Sequence, residues 1–195
     1  MIDTNYRAPE KLFFYDKYVE KLFLWMIPGS ITPNHITVFR FLATPAVAWF
    51  MFFDHFTIGL FSFLLLAFTD ILDGSLARTR KQITKWGMMY DPLADKILIA
   101  TAVFIIVLRY IDFWTAILII GIDLLIVIVA FARKEKGGKI QANIWGKIKM
   151  SLQVGGVTIL LLAIVFNLAI LLPFASNILY LAIAFAIVSL LTYGI

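Results

Sequence analysis

Residues 70–95 read DILDGSLARTRKQITKWGMMYDPLAD. Four aspartates stand in this stretch, at 70, 73, 91 and 95, and long apolar runs lie on both sides. Asp70 and Asp73 are three apart, and Asp91 and Asp95 are four apart. On a helix either spacing puts both carboxylates on one face. The intervening connection is short, so the two helices are expected to be antiparallel neighbours. Their acidic turns then lie at one depth, and the four carboxylates are expected to converge on one small volume.

The rest of the chain explains why that placement is unusual. Of 195 residues, 62% are hydrophobic and only 15% are charged, against roughly half and a quarter in soluble domains. The apolar excess falls in blocks of the ~20 residues that a membrane helix needs. The expected fold is all-α: six transmembrane helices, at 34–53, 56–78, 85–108, 113–132, 147–171 and 175–194, preceded by a juxtamembrane helix. Residues 1–21 are rich in charge and lack the apolar core of a cleavable signal peptide. With no cysteine, disulfides and thiolate metal sites are excluded.

Charge sets the orientation. Sixteen of the 17 cations fall on one side of the six spans, and only Arg109 on the other. That side is therefore cytoplasmic, and both termini lie there. The net charge of +5 reflects this topology and not nucleic-acid binding. Residues 10–29 form an amphipathic pattern, with Leu12, Tyr15, Val19, Leu22, Phe23 and Met26 on one face and Asp16, Lys17, Glu20 and Lys21 on the other. Two segments follow: 1–29, an interfacial amphipathic helix ended by Pro28 and Gly29, and 30–195, a six-helix transmembrane domain.

An aspartate deep in a bilayer costs about 2.5–3.5 kcal/mol on insertion scales, and four together repel one another. Either neighbouring Lys or Arg side chains neutralise them or a divalent ion does. An all-oxygen carboxylate set suits Mg²⁺, Mn²⁺ or Ca²⁺. Gly74, Ala77 and Gly87 add little bulk; they permit close helix packing and equally leave room for a phosphorylated ligand. Arg78 carries a planar fork suited to phosphate. Arg40, inside the first span, needs a phosphate or an aspartate as partner. A kink or local opening is expected at Pro92.

Asp70-x-x-Asp73-Gly74-x-x-Ala77-Arg78, eight residues, then Gly87-x-x-x-Asp91-x-x-x-Asp95 resembles the signature of the CDP-alcohol phosphotransferase family at every fixed position. The resemblance implies an integral membrane enzyme, usually a homodimer, that moves a substituted phosphate from a CDP-linked lipid to a polar alcohol and releases CMP. It implies that Asp70, Asp73, Asp91 and Asp95 hold one or two Mg²⁺ or Mn²⁺ ions, and that Asp95 is also the general base. Asp70, Gly74, Ala77 and Arg78 would contact the CDP portion.

Three stretches, DPLADK (91–96), TPNHITVFRFLATP (32–45) and WGKIKMSLQ (145–153), are most like the phosphatidylglycerophosphate synthase branch. That branch transfers the phosphatidyl group of CDP-diacylglycerol to sn-glycerol 3-phosphate. Arg40, Arg133, Lys139, Lys147 and Lys149 are the candidate ligands of the acceptor phosphate. The branch usually has Arg before the acidic residue of the fourth span, where this chain has Ile122 before Asp123. Asp123 is expected to make a structural pair or a hydrogen bond, one candidate partner being a cation of the fifth span. Other acceptors within the family stay open: inositol phosphate, phosphatidylglycerol as in cardiolipin synthase, or an archaeal CDP-lipid. The reading from another class is a cation or proton transporter, since intramembrane carboxylates serve such pathways too. The expected location is the inner membrane of a prokaryote.

Overall fold

Apolar runs of 18 to 24 residues become helices because a chain without water must satisfy its backbone internally. The computed structural model describes residues 16–82, 84–135 and 144–194. Every regular element among them is helical: α1 (Asp16–Leu22), α2 (Pro33–Phe52), α3 (Phe56–Thr79), α4 (Lys85–Ala102), α5 (Leu108–Tyr110), α6 (Phe113–Glu135), α7 (Ile144–Val165) and α8 (Leu171–Gly194). A 3₁₀ turn at Leu24–Met26 follows α1, and a π-helical turn at Val103–Val107 joins α4 to α5. α4 runs through Pro92 as one helix. Among the described residues four helices, α2, α3, α7 and α8, are long and apolar enough to cross a membrane.

Helix ends follow local chemistry. Asp54, Lys81 and Asn167 take left-handed φ angles of 64°, 55° and 53°. Just beyond each, a backbone N–H reaches five residues back: His55 to the Phe50 carbonyl, Gln82 to Ala77 and Leu168 to Ala163, at 2.8–2.9 Å. These are Schellman closures, and they terminate α2, α3 and α7. At the other end, Thr84 caps α4 by accepting from the Gly87 N–H at 2.9 Å, and Asp112 caps α6 by accepting from the Thr115 N–H at 2.8 Å.

The chain divides into two compact units. The first holds the described part of 1–45 together with 63–98, and its core includes Leu24, Phe63, Leu66, Leu76, Ala94 and Leu98. The second holds 46–62 and 99–195. There α7 and α8 pack closely: a Cβ on Gly156 would lie 2.8 Å from the Leu179 side chain, whereas Gly155 faces open space. Ile122 and Ile126 of α6 pack with Ala186, Ile183 and Leu190 of α8.

The core is mainly apolar, but the exterior is unlike that of a water-soluble bundle. Arg40, Asp73 and Lys149 are buried, while Phe61, Leu65, Leu124, Ile128 and Leu191 are exposed. Such an exterior suits lipid, where outward apolar side chains cost nothing and charges are turned inward. Asp16 departs from the amphipathic expectation. The sequence pattern puts it on the polar face with Lys17, yet it is fully buried. Its carboxylate is compensated inside the protein, as described below. Residues 10–15 of the same pattern lie outside the described residues.

Candidate active site

The site is built within the first unit, from the ends of α2, α3 and α4. Asn34, Thr37 and Arg40 recur at three-residue spacing on α2, and so share one face. Arg40 is fully buried. Its Nη1 donates to Asp70 Oδ1 at 3.0 Å, its Nη2 to Asp73 Oδ2 at 2.5 Å and its Nε to Thr69 Oγ1 at 3.5 Å. One guanidinium thus spans both carboxylates of α3. Their three-residue spacing is what lets a single planar fork reach them. Asp73 is buried, and the Asp70 side chain is 42% exposed.

The same face of α2 reaches α4. Thr37 Oγ1 donates to Asp91 Oδ1. Thr84 Oγ1, the cap of α4, donates to Asn34 Oδ1 at 2.8 Å. Gly87 lies among these groups. A Cβ there would stand 3.1 Å from Asn34 Oδ1, 3.1 Å from Thr84 Oγ1 and 3.3 Å from Asp91 Oδ2. Only a residue without a side chain leaves that oxygen-lined space open. Asp95, one turn further along α4, is buried.

The expected convergence of all four carboxylates takes a more limited form. Arg40 joins Asp70 to Asp73, and Thr37 holds Asp91, but among the described residues no three acidic or imidazole groups form a metal-binding set. The positive charge that the α3 pair requires is supplied by Arg40. The donor chemistry still fits a hard divalent ion: carboxylate oxygens on two helices, and the open space over Gly87 beside Asp91 Oδ2.

Arg78, at the end of α3, is held by α1. Its Nε donates to Asp16 Oδ2 and its Nη2 to Asp16 Oδ1, both at 2.8 Å. Ser75 Oγ donates to Asp16 Oδ1 at 2.7 Å. Two residues on, Arg80 donates to the carbonyls of Ile27 at 2.7 Å and Pro28 at 3.2 Å, closing the turn that leads into α2. Gly74 lies beneath the Arg78 guanidinium, where a Cβ would come within 3.2 Å of Nη1. Ala77 is partly buried on the same helix.

Of the acceptor candidates, Arg40 bonds aspartates. Lys149, in the second unit, is buried and donates to Asp123 Oδ1 at 2.6 Å, and Gln153 Nε2 donates to Asp123 Oδ2 at 3.0 Å. Asp123 therefore has both a cation and an amide of α7 as partners. Lys147 is exposed on α7. Lys139 and the Arg133 side chain lie outside the described residues.

Comparison with known proteins adds an independent line. The family model for CDP-alcohol phosphatidyltransferase matches residues 30–189. The chain belongs to the CDP-alcohol phosphatidyltransferase family. A relative from Cereibacter sphaeroides is 48% identical over 80 residues, which are 38% of this chain and 35% of that protein. One from Bacillus subtilis is 33% identical over 132 residues, 67% of this chain and 68% of that protein. One from Haemophilus influenzae is 33% identical over 130 residues, 63% of this chain and 70% of that protein. All three are named CDP-diacylglycerol–glycerol-3-phosphate 3-phosphatidyltransferase. Membership of this phosphatidyltransferase family favours the transferase reading over the transporter.

Sequence reasoning about the phosphatidyltransferase signature left Asp16, Ser75 and Thr84 without a role, and gave Asn34 and Thr37 none beyond resemblance. The α2 spacing of 34, 37 and 40 was a usable signal, because it marks one polar face in an apolar helix. For Asp16 no local signal exists, since its partner lies 62 positions away.

Proposed function

We propose that this protein joins CDP-diacylglycerol and sn-glycerol 3-phosphate, giving phosphatidylglycerophosphate and CMP. The observation that carries this reading is the shared name of relatives that match about two thirds of the chain. The aspartates, Gly74, Ala77 and Arg78 are assigned as follows. Asp70, Asp73, Asp91 and Asp95 would hold Mg²⁺ or Mn²⁺, which when bound would supply Lewis-acid and charge-neutralising chemistry to the diphosphate. Asp95 takes the proton of the attacking hydroxyl. Arg78, with Asp70, Gly74 and Ala77, holds the CDP portion. Arg40 keeps the Asp70 and Asp73 carboxylates at fixed spacing, and Thr37 orients Asp91.

Arg40, Arg133, Lys139, Lys147 and Lys149 supply cations to the acceptor phosphate. For Arg40 and Lys149 this requires exchanging or sharing a carboxylate partner. In the same reading the chain crosses the inner membrane of a prokaryote six times, with both termini cytoplasmic, and works as a homodimer. α6 supports one added span, because its apolar stretch Phe113–Val129 extends about 26 Å at ~1.5 Å per residue, close to a ~30 Å hydrocarbon core. The segment 1–29 lies in the interface. Tyr18, Leu22, Trp25 and Met26 support this, since all four are exposed and amphipathic or apolar.

The test is CMP release by purified protein in detergent, with Mg²⁺ or Mn²⁺, CDP-diacylglycerol and a panel of alcohols. Release with sn-glycerol 3-phosphate alone is the expected result. Release with another acceptor alone, inositol phosphate or phosphatidylglycerol, would replace the assignment, and silence with every acceptor would remove it.

A further inference from the structure

Asp16 is a fully buried carboxylate in the first described turn of α1. Burying such a charge costs several kcal/mol unless it is paired and hydrogen-bonded. The compensation comes from one side of α3. Ser75 and Arg78, three apart, both donate to it, and Arg78 does so through its Nε–Nη2 edge, both bonds 2.8 Å. This is the bidentate geometry in which a carboxylate fixes the plane of a guanidinium as well as its position. On its other side the same guanidinium rests over Gly74, close enough that a Cβ would stand 3.2 Å from Nη1. Arg78 is therefore held between the Asp16 carboxylate and the backbone of its own helix, with its side chain 13% exposed. A long side chain left unheld there would sample many rotamers and lose affinity on binding.

We infer that Asp16 is a positioning residue for the donor substrate: through its bidentate bond it sets the orientation in which Arg78 meets the diphosphate of the CDP-lipid. The inference rests on the proposed contact of Arg78 with CDP. Ser75 orients the carboxylate, and Gly74 leaves space for the guanidinium. The interfacial segment thereby takes part in donor recognition although it carries no reacting group.

The experiment is steady-state CMP release by the full chain in detergent, varying CDP-diacylglycerol at saturating acceptor and then the reverse. D16N is expected to raise KM for CDP-diacylglycerol about tenfold, the scale of one lost charge-assisted hydrogen bond. Its kcat should stay within about threefold, and KM for the acceptor should not move. S75A, a milder change that keeps the carboxylate, should raise the donor KM about threefold and carries the test if D16N does not fold. In the R78A background D16N should add nothing, because both act through one group. If R78A raises the donor KM while D16N and S75A leave it unchanged, Asp16 only anchors α1 and the inference is overturned. Equal rises in both KM values overturn it as well. A donor KM unmoved by R78A itself would remove the underlying assignment of Arg78 instead.

Discussion

Replacing Arg40 with methionine removes the charge that the α3 carboxylates share while keeping much of the side-chain volume. The two partners respond differently. Asp70 is 42% exposed on its side chain, so water screens its loss and that half of the pair contributes about 0–1 kcal/mol. Asp73 is 3% exposed and lies 2.5 Å from Nη2. Stranding a buried carboxylate costs about 3–5 kcal/mol. R40M should therefore destabilise the fold by about 3–5 kcal/mol, nearly all of it through Asp73. R40K retains charge but lacks a fork that reaches both carboxylates, and should recover only part of the loss. The decisive variant is R40M/D73N, which removes the stranded charge and should be more stable than R40M alone. The measurement is equilibrium unfolding in mixed micelles of the four members of this double-mutant cycle. If R40M costs under about 1 kcal/mol, or if the double variant loses the sum of the single losses, Arg40 does not neutralise Asp73 in the folded protein.

Other expectations concern catalysis, packing and pH. D95N should lower kcat by about 10²–10⁴, the range for a lost general base, while unfolding like the parent; near-normal turnover would remove Asp95 from that role. G87A puts a methyl 3.1 Å from Asn34 Oδ1 and Thr84 Oγ1, and should cut activity about tenfold with a smaller stability loss, of about 1 kcal/mol, seen by comparing CMP release with unfolding midpoint. K149M should cost about 1–3 kcal/mol, less than R40M, because Gln153 still donates to Asp123; the same micelle titration reads it. Hydrogen bonds from the Thr115 hydroxyl and N–H hold the Asp112 carboxyl below its ordinary range. A folded-state value below the unfolded one means stabilisation at neutral pH that is lost as pH falls through the folded value. The melting-temperature gap between the parent and D112A should thus be open at neutral pH and close on acidification.

What the sequence makes legible follows from how far each interaction reaches. Apolar runs locate the long helices of the described residues, though the run at 147–171 hides the end of α7 at Val165 and the turn before α8, because each run can satisfy its backbone as helix separately. The aspartate spacings are legible for the same reason, being properties of single helices. The rotation of one helix against another is not. Spacing alone cannot say that the same face of α2 supplies Arg40 to α3 and Thr37 to α4, nor that Arg40 chooses aspartates where a phosphate was equally open. Asp123 shows the easier case: a carboxylate in an apolar helix needs a partner, and α7 carries cations, but Lys149 reads from sequence as a phosphate ligand and only the structure pairs it with Asp123, at 2.6 Å. Asp16 shows the opposite. Periodicity turns any charge in an amphipathic helix outward, and that rule fails where a distant residue offers a better partner than water. Two donors on α3, Ser75 and Arg78, reverse the sign of the argument. A charge on the polar face of an amphipathic helix is therefore ambiguous from sequence, and a partner 62 positions away becomes visible only once α1 and α3 are placed together.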